Sequence, residues 1–149
     1  MIINLKKLNP LAIVPTQAYP DDAGYDLYSL EDKELYPLER YLFKTGISIS
    51  VPRGHYARIA PRSGLALKNG LFVNGGVCDS GFLGEIGVIL VNINRDDDEA
   101  QHISNRISIK KHQKIAQLII EKCYYVEWDV VDNLECTARA DGGFGSSGA

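Results

Sequence analysis

The chain has 149 residues and a formal net charge of −3 at pH 7, with 45% hydrophobic and 23% charged residues. This length fits one domain, and this composition is ordinary for a globular protein with a buried core. The slightly acidic balance excludes a general attraction to nucleic-acid phosphates, so we expect no stable nucleic-acid binding. No apolar run approaches the ~18 residues of a bilayer-spanning helix, so we expect no membrane association.

The three cysteines are Cys78, Cys123 and Cys136, and no two of them form a C-x-x-C pair. An odd number of such cysteines is typical of reduced thiols and argues against a disulfide framework. The first ten residues, MIINLKKLNP, lack the apolar segment of a secretory signal. These features predict a cytoplasmic protein.

Short, mostly alternating apolar runs dominate the chain, and glycine-rich or proline-containing turns separate them. In residues 41–51, YLFKTGISISV, the side chains of Ile47, Ile49 and Val51 would share one face of a strand. No window of a dozen residues keeps a helical period, and residues 65–70 could hold one helical turn. Many short strands predict an all-β barrel or sandwich. The other strand-like runs, rich in β-branched and aromatic residues, are 55–60, 85–92, 103–109, 114–120 and 123–131.

Three carboxylates surround a glycine in the stretch DDAGYDL, residues 21–27. Asp26 precedes the apolar Leu27, so we expect its side chain to be partly sheltered. Carboxylates of this kind suit Mg²⁺, often through water. A charged surface loop is the alternative, and it is the better interpretation of Asp21 and Asp22.

A candidate anion site lies in APRSGLALK, residues 60–68, just after a predicted strand. Arg62, Ser63 and the Gly64 amide are adjacent donors, and a guanidinium matches phosphate geometry. The alternative is a turn with a surface arginine. Gln117 lies in an otherwise apolar strand, where a buried amide needs partners from the backbone or from a ligand.

The stretch NGGVCDSGFLGE, residues 74–85, places a carboxylate in a glycine-rich bend. Asp79 could orient or deprotonate a water molecule. Gly75 and Gly76 would allow a planar ligand to approach the backbone closely, and Phe82 could pack under a sugar ring. A hairpin with an aspartate in its turn is the alternative.

The last twelve residues, ARADGGFGSSGA, combine flexible glycines with an arginine and a phenylalanine. GFGSSG matches G-x-G-x-x-G, but the βαβ context of a dinucleotide site is missing. Arg139, Ser146 and Ser147 could donate to phosphate, and Phe144 could offer a flat face to a base. A frayed terminus is the alternative. The acidic run at 96–99 does not have calcium-loop spacing and predicts a solvated hairpin tip.

Taken in order, AGYDL, PRSGLA, GGVCDSGFLGE, KIAQLI and RADGGFGSSG resemble the five motifs of the trimeric dUTPase family. The resemblance extends from about residue 23 to residue 148. It implies a distorted jelly-roll β-barrel of residues 1–137, assembled as a homotrimer. It also implies an arm, residues 138–149, that closes over an active site of the trimer, so that each site draws residues from more than one chain.

The resemblance implies the reaction as well: an Mg²⁺-assisted, in-line attack of water on the α-phosphorus of dUTP, giving dUMP and pyrophosphate. Asp79 matches the aspartate that activates the water. Asp26 matches an aspartate that reaches Mg²⁺ through water, while the metal rests mainly on the triphosphate. This reaction keeps uracil out of DNA and supplies dUMP for dTMP synthesis, in the cytoplasm or, for a viral protein, inside the host cell.

Substrate contacts are likewise implied in the turn at 62–64, in the hairpin at 74–78, at Gln117 and in the arm. The hairpin would contact uracil through its main chain, and the ring of Phe82 would exclude a ribose 2′-hydroxyl. The arm would hold the outer phosphates and stack an aromatic ring over the base. The implied substrate-binding residues are Arg62, Ser63, Gly64, Asn74, Gly76, Val77, Cys78, Phe82, Gln117, Arg139, Phe144, Gly145, Ser146 and Ser147.

Several positions depart from the family pattern. Phe82 stands where tyrosine is usual, and Cys78 replaces isoleucine or valine as a small apolar residue without a nucleophilic role. Ala140 replaces the glycine after the arm arginine, which implies a stiffer arm, and Ser147 replaces threonine. Lys114 replaces an arginine, which would alter trimer packing or a local ion pair.

Two other functions fit parts of the pattern. A dCTP deaminase shares the fold, but it ordinarily lacks the phenylalanine arm. A catalytically inactive, nucleotide-binding regulatory trimer is the second alternative, and the intact motif cores argue against it.

Overall fold

The computed structural model describes residues 1–95 and 105–142. Within these residues the chain forms eleven β-strands and one α-helix, α1 (Ser63–Asn69), so the predicted all-β class is confirmed. None of the helical structure described there is long and apolar enough to cross a lipid bilayer. The strands are β1 (Asn4–Lys7), β2 (Tyr25–Tyr28), β3 (Lys33–Leu35), β4 (Arg40–Lys44), β5 (Ile47–Ser50), β6 (His55–Ala60), β7 (Leu71–Asn74), β8 (Val77–Cys78), β9 (Gly87–Asn92), β10 (Ile107–Ile109) and β11 (Lys114–Lys122).

All strand pairs are antiparallel, and they form four small sheets. The largest has the order β2-β11-β6-β8, and a three-stranded sheet has the order β4-β9-β7. Strands β1 and β5 form a third sheet, and β10 and β3 form the fourth. The nine-residue β11 lies between β2 and β6, so it joins the segments that carry three of the predicted site motifs.

One hydrophobic core fills the space between the sheets. Strand β9 shows how the alternating pattern builds this core, because Val88, Leu90 and Asn92 are buried and the residues between them are half-buried. The Asn92 amide donates to the carbonyl oxygens of Leu35 (3.1 Å) and Asn105 (2.9 Å), so this buried polar group has its partners. The largest fully buried apolar side chains are Leu27, Leu35, Phe43, Ile47, Leu71, Ile86, Leu90, Ile109 and Ile115.

The structure corrects several predicted boundaries. The run at 41–51 is not one strand, because Gly46 adopts a φ of 70° and separates β4 from β5. The run at 85–92 begins only at Gly87, and the described part of 103–109 contains the short β10. The helical turn predicted at 65–70 is the longer α1, whose end is fixed by a left-handed Gly70. The acidic run at 96–99 lies outside the described residues.

The strand predicted at 123–131 is wrong for the single chain. Described residues beyond Lys122 contain no strand, and their apolar side chains face solvent; Trp128 is 88% and Val130 95% exposed. An alternating sequence forms a strand only where another backbone supplies hydrogen-bond partners. Among residues 1–95 and 105–142, no neighbouring strand does so.

Candidate functional site

The sheet around β11 brings three of the predicted site residues together. Gln117 is paired in register with Asp26 on β2 and with Ala60 on β6. Arg62 follows β6 by two residues and therefore emerges next to the same position of β11. The prediction that Asp26 is sheltered is confirmed, because this residue is only 6% exposed.

The buried Asp26 carboxylate is held by two cations. Its Oδ1 lies 3.0 Å from Nε of Arg62, and its Oδ2 lies 2.7 Å from Nζ of Lys114. The hydrogen bond from Lys114 to Asp26, together with the negative charge there, raises the pKa of the Lys114 ammonium. A carboxylate placed in this way is compensated before any ligand binds, and one net positive charge remains for an anion.

Two small cavities lie on either side of Arg62 and Gln117. One, of about 260 Å³, is lined by the predicted phosphate turn at 62–64, Gln117 and Lys68. The other, of about 220 Å³, is lined by Asp22, Gly24 and Asp26. Cationic and donor groups thus border the first cavity, and carboxylates border the second, with Arg62 and Gln117 in both walls.

A third cavity, of about 310 Å³, lies at the end of β8. It is lined by Asp79, the residue predicted to accept a proton from water. Asp79 is exposed there, immediately after the last residue of the strand. The same cavity is lined by Asn74, Gly76, Val77, Cys78 and Phe82, whereas Gly75 is not among its lining residues.

Gly76 is required by the geometry of this hairpin. Its φ is 109°, and a Cβ added there would stand 2.6 Å from the carbonyl oxygen of Ile59. The carbonyl of Gly76 in turn accepts a hydrogen bond from the Ile59 amide at 2.8 Å. The bend is therefore fixed against β6, with its main chain along the cavity.

Phe82 is positioned by the loop that follows Asp79. Its ring lies over Gly84, where an added Cβ would stand 2.7 Å from Cζ of the ring. The Ser48 hydroxyl donates to the carbonyl of Leu83 at 2.8 Å, and the Thr45 hydroxyl donates to that of Ile86 at 2.5 Å. These bonds attach the loop to β5 and to the turn before it.

Cys78 is packed in the hydrophobic core. Burial, followed by the negative charge of Asp79, raises the pKa of its thiol. A thiol that is harder to ionise is a poor nucleophile, so the sequence interpretation of Cys78 as a small apolar residue agrees with its environment.

The arm is described only as far as residue 142. Arg139 is exposed, and its Nε donates to the carbonyl of Gly142 at 2.9 Å. Ala140 has a φ of 46°, the left-handed region that favours the glycine expected at this position. The predicted contacts at Phe144, Gly145, Ser146 and Ser147 lie outside the described residues.

Within the described part of the chain, the cavity of Asp79 shares no lining residue with the two cavities beside Arg62. The single chain therefore presents two separate groups of predicted site residues. Sequence reasoning noted Lys114 only as a departure and overlooked Gly24 and Lys68. A larger cavity, of about 720 Å³, is mainly apolar and is lined by none of the predicted site residues.

Comparisons with known proteins point to one family. The family model described as dUTPase matches residues 11–148. The deoxyuridine 5′-triphosphate nucleotidohydrolase of Yaba monkey tumor virus (strain VR587) is 43% identical over 147 residues, which cover 99% of this chain and 96% of the relative.

Solved structures agree with this finding. The dUTPase of Staphylococcus bacteriophage 80alpha with dUPNHPP has a TM-score of 0.91 at 30% identity, covering 99% of both chains. A mutant dUTPase of phage phi11 of S. aureus, whose structure describes the coordination of a structural Mg(II) ion, has a TM-score of 0.83 at 25% identity. It covers 91% of this chain and 100% of the phage chain. The fold of this chain is thus the predicted jelly roll.

Proposed function

The chain belongs to the dUTPase family and is a dUTP diphosphatase, and we propose that Asp79 activates the water that attacks the α-phosphorus. The observation that carries this proposal is the common cavity of Asp79, the glycine hairpin and Phe82. A nucleoside lying between the hairpin and the ring would have its α-phosphate next to the carboxylate.

In the proposed reaction, Asp79 accepts a proton from water as the water oxygen forms a bond to the α-phosphorus. The bond from that phosphorus to the oxygen bridging to the β-phosphate breaks on the opposite side. The electron pair leaves with pyrophosphate, and dUMP remains. An exposed carboxylate at the end of a short, firmly paired strand is suited to this role, since position matters more than covalent chemistry.

The triphosphate would be bound by Arg62, the turn at 63–64 and Gln117. Arg62 offers planar N–H donors, and the adjacent cavity has room for phosphate oxygens. Arg139 and the hydroxyls of Ser146 and Ser147 would hold the outer phosphates from the arm. Positive charge placed around the phosphates stabilises the charge that develops on the leaving group.

Specificity for deoxyuridine would come from the third cavity. The main chain of Asn74, Gly76, Val77 and Cys78 would pair with the uracil edge, and the tight hairpin would exclude a methyl group on the base. A mismatched base would leave buried polar groups unpaired, which costs more than a lost apolar contact. Phe82 would exclude a ribose 2′-hydroxyl from below, and Phe144 with Gly145 would cover the base.

The residues present fit an Mg²⁺ ion that is carried by the triphosphate. Within residues 1–95 and 105–142, no group of three His, Cys, Asp or Glu side chains could cage a metal. Asp22 and Asp26 do line one cavity beside Arg62, and Mg²⁺ commonly keeps several waters and uses few carboxylates. When bound, the ion would neutralise phosphate charge, while Asp26 would contact its water.

A homotrimer would join the two separate groups of site residues. The Asp79 cavity of one chain would face the Arg62 cavities of a neighbour, and the arm, residues 138–149, would reach over the completed site from the barrel of residues 1–137. Tyr124, Val126, Trp128 and Val130 occupy every second position of this segment, and all four side chains are exposed. They support contact with another subunit, because such a surface is costly in water.

The biological consequence would be removal of dUTP, which keeps uracil out of DNA, and supply of dUMP for dTMP synthesis. Cys78, Cys123 and Cys136 are all free thiols. They support a reducing compartment, the cytoplasm or the interior of a host cell.

Pyrophosphate release from dUTP and from the four common dNTPs, with and without Mg²⁺, tests the proposed function. We expect release from dUTP only, and much faster release with Mg²⁺. In ¹⁸O-labelled water the label should enter dUMP. Label in pyrophosphate would contradict attack at the α-phosphorus, and ammonia release from dCTP without turnover of dUTP would contradict the function.

A further inference from the structure

A register shift in β11 places Lys114 beside the residues proposed to bind phosphate. The register of β11 against β2 shifts between Lys114 and Ala116, so that Lys114 is paired with Tyr28. Without the shift, Ile115 would be paired with Tyr28, because Ala116 is paired with Leu27. Side chains alternate along strands, so the extra residue places Lys114, and not Ile115, on the face that carries Asp26 and Gln117.

Lys114, Asp26 and Arg62 form a row of three charged groups, with the carboxylate between the two cations. Nζ of Lys114 lies 2.7 Å from Oδ2 of Asp26, and Nε of Arg62 lies 3.0 Å from Oδ1, so each carboxylate oxygen has one cation. A terminal nitrogen of Arg62 also donates to the Lys114 carbonyl, at 3.4 Å. Lys114 thus contacts the Asp26 carboxylate through its ammonium group and the Arg62 guanidinium through its backbone carbonyl.

The contact between Arg62 and Asp26 depends on how the carboxylate is turned. Nε of Arg62 is buried and close to Oδ1, but it does not have the alignment of a hydrogen bond. The pair is therefore held by charge and not by a directed bond. If Oδ2 were free, the guanidinium could rotate onto both oxygens in the two-bond arrangement that arginine and carboxylate favour.

We propose that Lys114 is a positioning residue for phosphate binding: by occupying Oδ2 of Asp26 it confines Arg62 to Oδ1. The remaining N–H groups of the guanidinium then stay available to the triphosphate in the cavity that Arg62 shares with Gln117. This inference rests on the proposed function, because it says how Lys114 positions Arg62, and Arg62 is a residue proposed to bind the triphosphate. Arginine, which is usual at this position in the family, would hold the carboxylate in the same way.

Three substitutions of Lys114 test this role. Lys114→Met removes the charge and keeps an unbranched side chain that is one atom shorter. Lys114→Gln also removes the charge, but with a polar group, in case the Met variant fails to fold. Lys114→Arg restores the charge. Lys110→Met is the matched control, because Lys110 is an exposed lysine four residues away on the same segment.

Binding of dUPNHPP by calorimetry, and KM and kcat for dUTP, are the readouts. We expect Lys114→Met or Lys114→Gln to weaken dUPNHPP binding and raise KM about tenfold, which is ~1.4 kcal/mol, with a smaller change in kcat. Lys114→Arg should bind within about twofold of wild type, as should Lys110→Met. In an Arg62→Ala background the Lys114 substitution should have little further effect, because the two residues act as one unit.

Unchanged dUPNHPP binding in a folded Lys114→Met or Lys114→Gln variant would overturn the inference and leave the proposed function intact. A loss that adds fully to that of Arg62→Ala would also overturn it, since Lys114 would then act independently of Arg62. If wild type itself neither binds dUPNHPP nor releases pyrophosphate from dUTP, the proposed function fails and this inference with it.

Discussion

Gly24 lies directly against the side chain of Gln117. A Cβ added at Gly24 would stand 2.5 Å from Oε1 of Gln117 and 3.0 Å from its Cβ. Gln117 lines both cavities beside Arg62, so the absence of a side chain at position 24 decides where this amide can point. Gly24, in the first motif, therefore restricts the orientation of the Gln117 side chain, in the fourth.

We predict that Gly24→Ala displaces the Gln117 amide. KM for dUTP should rise about tenfold, or ~1.4 kcal/mol. The free energy of unfolding should fall by ~1–3 kcal/mol, because the added methyl group overpacks the site. Steady-state kinetics and denaturant titration measure the two effects. In a Gln117→Ala background the kinetic effect of Gly24→Ala should nearly vanish; an undiminished effect there would show that Gln117 does not mediate it.

Asp79→Asn should strongly reduce turnover and preserve binding. Asparagine has the same shape but cannot accept the proton, so kcat should fall about 10²- to 10⁴-fold. The affinity for dUPNHPP, measured by calorimetry, should stay within about threefold, since Asp79 is not assigned a binding role. An asparagine variant that turns dUTP over at the wild-type rate would remove Asp79 from the mechanism.

Ser48→Ala should loosen the loop that carries Phe82. The serine is buried and donates to the Leu83 carbonyl at 2.8 Å, so its loss leaves that carbonyl without this donor. We expect a stability loss of ~1 kcal/mol and a reduction of about tenfold in the kcat/KM ratio of dUTP to UTP. The control is Ser50→Ala, an exposed serine of the same strand. Equal effects of the two substitutions on the ratio would contradict the role of the loop.

Glu121 should make stability depend on pH. The Tyr56 hydroxyl donates to Glu121 at 2.5 Å and Arg58 donates at 2.6 Å, and these bonds lower the pKa of the Glu121 carboxyl. A lowered carboxyl pKa stabilises the fold above the ordinary value of about 4.3, and this contribution is lost as pH falls through the folded pKa. The bond to Glu121 raises the pKa of Tyr56, so the contribution of Tyr56 is lost at alkaline pH.

Glu121→Gln should therefore lower the melting temperature near pH 7 by no more than a few degrees, because Tyr56 and Glu121 are only half-buried and Arg58 is exposed, so that solvent screens the charges. The difference from wild type should shrink toward pH 3. Calorimetric scans from pH 3 to pH 8 measure it, with Glu127→Gln, an exposed glutamate, as the control. A difference that is the same at every pH would contradict the contribution of the charge.

Local sequence patterns were sufficient for much of the fold and for the grouping of residues around Asp79. Strands β6 and β11 were predicted from short apolar runs that contain aromatic or β-branched residues, and the shelter of Asp26 was predicted from the apolar residue after it. The residues around Asp79 meet in one cavity because they are close in sequence and a positive-φ glycine at position 76 folds them back.

Features that depend on pairing between distant segments were not predictable. The bulge at Lys114 is a property of the register between β11 and β2, and the sequence of β11 alone does not contain it. The strand predicted at 123–131 has the right alternation, but a strand also needs a partner backbone, and alternation does not say which chain supplies it. Arg62 and Asp79 line different cavities for the same reason: their relative position depends on how distant segments pair, which the local sequence does not show.

The most direct test of a shared active site combines two inactive chains. Arg62→Ala and Asp79→Asn should each give an inactive trimer, but co-expressed chains should form sites with Arg62 from one subunit and Asp79 from another. If the two chains mix at random in a closed trimer, about a quarter of the sites should receive an intact Arg62 and an intact Asp79. We therefore expect about a quarter of the wild-type rate of dUTP hydrolysis. A purified mixed trimer no more active than its two parents would contradict an active site built from two chains.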